Sequence, residues 1–396
     1  MKIVIFGLSV TSSWGNGHAT TYRALLKALQ ERGHHIVFFE KNQEWYASNR
    51  DLPEPGFCDL RLFENWDSIL PSVRDELEGC DVAVAGSYFP DGISAVQEIL
   101  DSKAAVKAFY DIDTPITVAN LRAGGTDFLR ATEMAGFDLY FSFTGGPLLE
   151  QLESEFGVRR AVPLYCSVDP QQHYPRKRSK RYQCDLSYMG TYAADRQPKL
   201  DRLFTSVAAE LPEMKFLLAG PQYPTNLKWP KNVRHIHHLS PHWHPHFYSS
   251  SRLTLNLTRE AMVASGFSPS VRLFEAAACG ATLVSDFWTG LDTFLQTGEE
   301  ILVAEHSKQV VSFLKDMDES QLRTIGKRAQ ERVLAEQSST RRAEEFELHV
   351  SSAMARSNSK HLSPALTTDQ ELSPPEYPFH KHESTYASKT RLYRSA

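Results

Sequence analysis

The chain has 396 residues, 41% of them hydrophobic, and a formal net charge of −5. That length suits about two domains with buried cores, and the mildly acidic balance excludes a generic nucleic-acid or anionic-membrane binder, which needs a basic surface. No stretch approaches the roughly 20 apolar residues of a membrane span. The five cysteines, none in CxxC spacing, exclude a disulfide framework and point to the reducing cytoplasm.

The opening MKIVIFGLSV has one lysine, then a short apolar run ending in glycine. It lacks the long apolar core and small-residue cleavage site of a signal peptide, so it reads as a first buried parallel strand. The stretch ATTYRALLKALQERG predicts an amphipathic helix, with Tyr22, Leu25, Leu26 and Leu29 on one face and Gly33 as its stop. HIVFFE, DVAVAG, AAVKAFYD and DLYFSF follow as further strands, each separated by room for a helix. This alternation is the βαβ signature of a doubly wound parallel sheet.

The pattern pauses over VDPQQHYPRKRSKRYQC, where prolines and basic residues replace aliphatic ones, as in an exposed linker. It restarts with CDLSYMG, a helix from Asp195, then MKFLLAG, NVRHI, LTLNLT, ATLVSD and EILVA, and residues 307–353 continue as charged helices. From about Ser357, Ser, Thr and Pro dominate and disorder is expected. The predicted architecture is α/β, with two Rossmann-like domains facing each other across a cleft. The first spans residues 1–167, a linker 168–183, the second with its carboxy-terminal helices 184–354, and a disordered tail 355–396.

Ligands of open α/β sheets sit outside the carboxyl ends of the strands, so the loops there are the candidate site. The loop after the first strand is too long, and its glycines are too badly spaced, for a dinucleotide fingerprint. Its tip, Gly15, Asn16 and Gly17, either lets a substrate approach a helix N-terminus or is an ordinary surface loop. His18 at the helix start is a candidate base. In YDIDTP, Asp111 and Asp113 end a strand; they bind a metal, act as a base, hold sugar hydroxyls, or cap the helix that Thr114–Pro115 begins.

Arg196 and Lys199 fall in the first turns of a helix, against its macrodipole. They form either a diphosphate clamp or a solvated face. In LNLTREAMVASGFSPSVRLFEAAACG, Asn256 and Arg259 follow a strand, Ser268 is read as a helix cap with Pro269 at the first position, and Ser270 and Arg272 share the first turn. Hydroxyls, free backbone N–H groups and a guanidinium together suit phosphate oxygens. Glu275, one turn on, either accepts the two hydroxyls of a ribose or pairs with Arg272. The histidines of RHIHHLSPHWHPHF show no helical i, i+4 pair and little carboxylate company, so no metal is expected there.

SPSVRLFEAAACGATLVSD and GLDTFLQTGEEILV closely resemble the carboxy-terminal half of group 1-type glycosyltransferases. YDIDTP, YMGTYAADRQ, LNLTR and VPLYCSVDPQQHYP are similar to motifs of the CgeB-like, spore-maturation subgroup. The resemblance covers roughly residues 1–350. It implies a GT-B fold, a nucleotide-sugar donor held mainly by the second domain, and an acceptor on the first. Glu275 would take the ribose hydroxyls, and Arg196 and Lys199 the diphosphate, with Asn256, Arg259, Ser270 and Arg272 nearby. The Gly15–His18 loop and Asp113 would face the acceptor, with Asp113 or His18 as base in an inverting reaction. No metal or other cofactor is implied. Retaining relatives carry two glutamates eight apart, and Phe267 stands at the first position, which leaves the stereochemistry open. A sugar-nucleotide epimerase of the same fold and a non-catalytic sugar-binding or coat-assembly protein are the competing expectations.

Overall fold

A computed structural model describes residues 1–15 and 17–361; Asn16 and the expected tail beyond His361 lie outside the described residues. Met1–Ser357 form one compact unit containing two parallel sheets. The first holds β1 (Lys2–Phe6), β2 (His35–Lys41), β3 (Asp59–Phe63), β4 (Val82–Gly86), β5 (Val106–Asp111), β6 (Leu139–Ser142) and β7 (Ala161–Pro163), in the order β3-β2-β1-β4-β5-β6-β7. The second holds β8 (Cys184–Met189), β9 (Phe216–Ala219), β10 (Val233–Ile236), β11 (Ser251–Asn256), β12 (Leu283–Ser285) and β13 (Leu302–Val303), in the order β10-β9-β8-β11-β12-β13. These are the two doubly wound parallel sheets that the sequence predicts.

β1 shows why such runs become central strands. Ile3 and Ile5 pack into one core layer and Val4 and Phe6 into the other, so both faces of the pleat are buried. The helix Gly17–Glu31 covers one of these faces through Tyr22, Leu25, Leu26 and Leu29, and Gly33 lies beyond its end at φ 85°. The order reverses direction between β1 and β4 and again between β8 and β11. These are the switch points at which open sheets leave a crevice.

Two boundaries differ from the sequence reading. Residues 168–183 are not simply exposed, because Val168, His173 and Tyr182 are each about 1% accessible. The segment's aromatic and histidine side chains turn inward while its arginines and lysines face out. The last helix, Ser339–His361, runs past the expected tail boundary at 355 and packs against the amino-terminal sheet rather than the second one. Phe346 stacks on Phe141 of β6 at 5.2 Å between centroids, and Glu347 pairs with Arg32 at 2.6 Å. An apolar stripe on a terminal helix packs on whichever open face lies in reach.

Candidate active site

The carboxyl ends of β1, β5, β6, β8, β9 and β11 surround a cleft with a volume of about 380 Å³, within the usual range of roughly 300–1,000 Å³ for small-molecule sites. Gly15, Gly17, His18 and Asp113 line it from the first sheet. Arg196, Arg259, Ser270, Arg272 and Glu275 line it from the second.

On the amino-terminal side the two acids have separate fates. Asp111 is fully buried; it accepts from the Tyr140 hydroxyl, from the Thr117 hydroxyl at 3.0 Å and from the Asp113 amide at 3.2 Å. Burial pushes its carboxyl up to about 6, against these hydrogen bonds. Asp113 precedes the helix Thr114–Ala123, yet its side chain makes no capping bond to it. It faces the cleft instead, accepts from the Tyr88 hydroxyl at 3.1 Å, and lies 3.8 Å from His18 Nε2. Tyr88 was not singled out in the sequence. Its signal is conformational, a φ of 64° directly after β4, which residue type alone does not reveal.

The loop between β1 and His18 is held from behind by Glu40, a fully buried carboxylate. It accepts from the Ser9 and Thr11 hydroxyls and from the amides of Val10 and Thr11. Four donors onto one anion give this long loop a defined path toward the cleft.

On the carboxy-terminal side, three guanidiniums converge. Arg196 donates to the Thr191 carbonyl at 2.6 Å, and its Nε has no hydrogen-bond partner among the described residues. Arg259 pairs with Asp195 at 3.4 Å and keeps 40% of its side chain exposed. Arg272 donates to the Met189 carbonyl, donates to the Asn256 side-chain Oδ1 at 3.2 Å and lies 5.0 Å above the Tyr188 ring. Gly190 permits that path, because a Cβ there would stand 2.8 Å from the Arg272 guanidinium.

Two expected donor contacts are relocated. Lys199 does not line the cleft; it is tied to Asp286 at 2.7 Å and to the Thr258 carbonyl at 2.9 Å. Asn256 is 1% accessible and acts from beneath, accepting from the Ser270 hydroxyl at 2.8 Å as well as from Arg272. The helix behind them starts at Val271, with Ser270 rather than Ser268 at its cap position. Ser268 instead bonds Thr144 at 2.9 Å, joining the two walls of the cleft. Phe267 does not line the cleft, and its backbone adopts φ 46° with the ring against Gly146 and Gly290.

Glu275 lies at the cleft floor, 4% accessible, and does not pair with Arg272. Its two oxygens stand 3.4 Å from His244 Nδ1 and 3.6 Å from His173 Nε2. Burial works against the charged carboxylate, but the two histidines hold it below its usual range. Burial also pushes His173 below its ordinary value, against the attraction of the Glu275 carboxylate. The three side chains form a compact group that could hold a metal ion. His244 does have carboxylate company, contrary to the sequence expectation, because the partner lies 31 residues away on another helix.

Residues 196–347 match the family described as glycosyl transferase-like. A comparison with curated protein sequences finds no match. Among solved structures, sucrose-phosphate synthase from Thermosynechococcus elongatus is similar with a TM-score of 0.65 at 13% identity, over 90% of this chain and 99% of that one. The Anabaena protein HepE in complex with UDP-glucose gives 0.67 at 12% identity, over 89% and 100%. An alpha-glucosyltransferase in complex with UDP gives 0.67 at 13% identity, over 89% and 100%. The chain therefore has the GT-B fold, and its carboxy-terminal half carries a glycosyl transferase-like domain.

Proposed function

We propose that this protein is a cytoplasmic glycosyltransferase of the CgeB-like subgroup. It moves a sugar, a hexose or a close relative, from a nucleotide-diphosphate donor to an acceptor hydroxyl. The observation that carries this reading is the opposition of charges across one cleft. Arg196, Arg259 and Arg272 converge on the wall of the second sheet, while Asp113 and His18 face them from the first. The motifs YDIDTP and LNLTR support the subgroup, and the five unpaired thiols fit a reducing compartment. Among the described residues no helix is long and apolar enough to cross a membrane.

In this reading the guanidiniums neutralise the diphosphate as the glycosidic bond to it breaks, so that step needs no metal. Ser270 adds a hydroxyl at the N-terminus of its helix. The remaining lone pairs of Glu275 accept the ribose hydroxyls. Asp113, oriented by Tyr88 and beside His18, takes the proton of the acceptor hydroxyl. Two of the similar solved structures hold UDP or UDP-glucose, which makes uridine the first base to try.

A thermal-shift panel of UDP, GDP, dTDP and ADP sugars tests the donor site on wild type, Glu275→Ala and Arg259→Ala. One nucleotide family should raise the wild-type midpoint by mass action, and both variants should lose most of that shift. Sugar release or transfer should follow, rather than epimer interconversion. Tight binding without turnover would replace this reading by the non-catalytic one, and no shift with any donor would overturn it.

A further inference from the structure

Glu275, His173 and His244 come from three separate elements. Glu275 is on the helix Val271–Ala278, His244 opens the helix His244–Ser250, and His173 lies in the segment between the two sheets. One ligand atom from each lies within 4.8 Å of the others. The His244 ring is oriented by the Leu239 carbonyl, 3.2 Å from Nε2. A carbonyl only accepts, so the proton of this ring sits on Nε2. Nδ1 faces a carboxylate oxygen 3.4 Å away. The pair is favourable only with a cation between the two atoms, a second proton on Nδ1 or a metal ion.

His173 strengthens the argument. It is 1% accessible, its Nε2 points at the other oxygen of Glu275, and neither ring nitrogen has a hydrogen-bond partner among the described residues. A buried imidazole left without partners is destabilising. A single proton on His244 would not relieve it.

We propose that this group is a zinc site of two histidines and one carboxylate at the floor of the cleft. Zinc takes histidine nitrogen and carboxylate oxygen at about 2.0–2.2 Å in a tetrahedron, whose edges are then about 3.3–3.5 Å. His244 Nδ1 stands 3.4 Å from one Glu275 oxygen and His173 Nε2 3.6 Å from the other, each close to such an edge, and one ligand atom from each of the three residues lies within 4.8 Å of the others. The His244 ring is already held by a backbone carbonyl in the tautomer that ligates through Nδ1, the usual support for a metal-bound histidine. The nitrogen-rich donor set selects zinc over magnesium or calcium, which prefer oxygen. Glu275 and His244 line the cleft, so the fourth position opens toward it. The ion would fix the orientation of Glu275 and tie the segment between the sheets to the second domain. The diphosphate, assigned to the arginines, is not its ligand.

The test uses untagged full-length protein and no donor, so it stands apart from the fate of the transferase reading. Metal analysis after gel filtration should find one zinc per chain. Chelation should lower the melting midpoint, with recovery on adding zinc but not magnesium. His173→Ala and His244→Gln should each lose the metal, and His242→Ala, on the exposed part of the histidine run, should keep it. Cobalt added to the stripped wild type should give the intense visible absorption of a tetrahedral site and be displaced by zinc, a readout independent of whether the variants fold. Absence of zinc and of the cobalt spectrum would overturn the proposal and leave a proton as the cation. Zinc retained by His244→Gln but lost by His242→Ala would overturn it too, placing the metal on the surface run.

Discussion

The Tyr88 hydroxyl donates to the Asp113 carboxylate at 3.1 Å from a backbone held at φ 64°. For a bulky residue that conformation costs on the order of 1–3 kcal/mol and persists only where the surroundings over-determine it. Here the ring is fixed between His18, at 5.5 Å, and Phe128, at 5.0 Å. The strain thus points one hydroxyl at the acid proposed as base.

Tyr88→Phe keeps the ring and removes only that donor. A hydrogen bond to a charged group contributes about 1.5–3 kcal/mol, so kcat should fall roughly 10- to 100-fold, with the donor KM changed less than about twofold. Asp113→Asn should fall further, by about 10²–10⁴, as for loss of a general base. Steady-state kinetics on the donor identified above decides. An unchanged kcat in Tyr88→Phe would remove Tyr88 from the mechanism.

Lys199 and Asn256 should behave oppositely, although both were read from sequence as donor ligands. Lys199→Met leaves Asp286, 7% exposed, without its partner at 2.7 Å. Breaking a buried pair costs about 3–5 kcal/mol; the partly exposed lysine places the expected loss at or below the lower end, with donor affinity near wild type. Asn256→Ala frees Ser270 and Arg272 and should weaken donor binding without touching the donor. Calorimetric titration and denaturant melts on both variants separate the roles. Donor affinity lost in Lys199→Met would restore it as a clamp.

Most of the fold was legible because buried parallel strands are continuous apolar runs. All six strands of the second sheet and five of the seven in the first were expected, although β10, VRHI at its sheet's edge, is not such a run. β3 escaped because Asp59 and Arg61 break its pattern at the sheet edge, and β7 because its three residues carry no period. The site was half legible. Motifs placed Arg196, Arg259, Arg272, Glu275, His18 and Asp113 around one cleft. They could not tell a residue pointing into it from one bracing it, as with Lys199 and Asn256. His173 was hidden by its prolines and basic neighbours, since composition averages over a segment whose side chains point both ways.

The Phe267 ring packs between Gly146 and Gly290, and Gly290 is what lets it fit. A Cβ on Gly290 would stand 2.4 Å from the Phe267 ring, at a φ of 89° that side chains rarely adopt. Gly290→Ala should therefore destabilise by overpacking and strain together, about 2–4 kcal/mol. Gly290→Ala with Phe267→Leu should recover only the overpacking part. A melt in which Gly290→Ala matches wild type would contradict this packing.

Asp111 gives a pH signature that can be isolated. Its carboxyl is raised by burial from an ordinary 3.8 to about 6. Below about pH 4 the folded and unfolded chains both hold the proton. Between about 4 and 6 the unfolded chain releases it and the folded one does not. Stability then falls as pH rises, and the loss is complete above the folded value. Two pH units correspond to about 3 kcal/mol at most. Other carboxylates, such as Asp51, held down at about 2 by Arg23 against the effect of burial, titrate in the opposite sense at lower pH. The informative quantity is therefore the difference between wild type and Asp111→Asn, which keeps the side-chain shape but cannot ionise. That difference should shift against wild type by about 2–3 kcal/mol between pH 4 and 6.5 in urea melts. A flat difference would mean that Tyr140, Thr117 and the Asp113 amide stabilise the Asp111 carboxylate as well as water does.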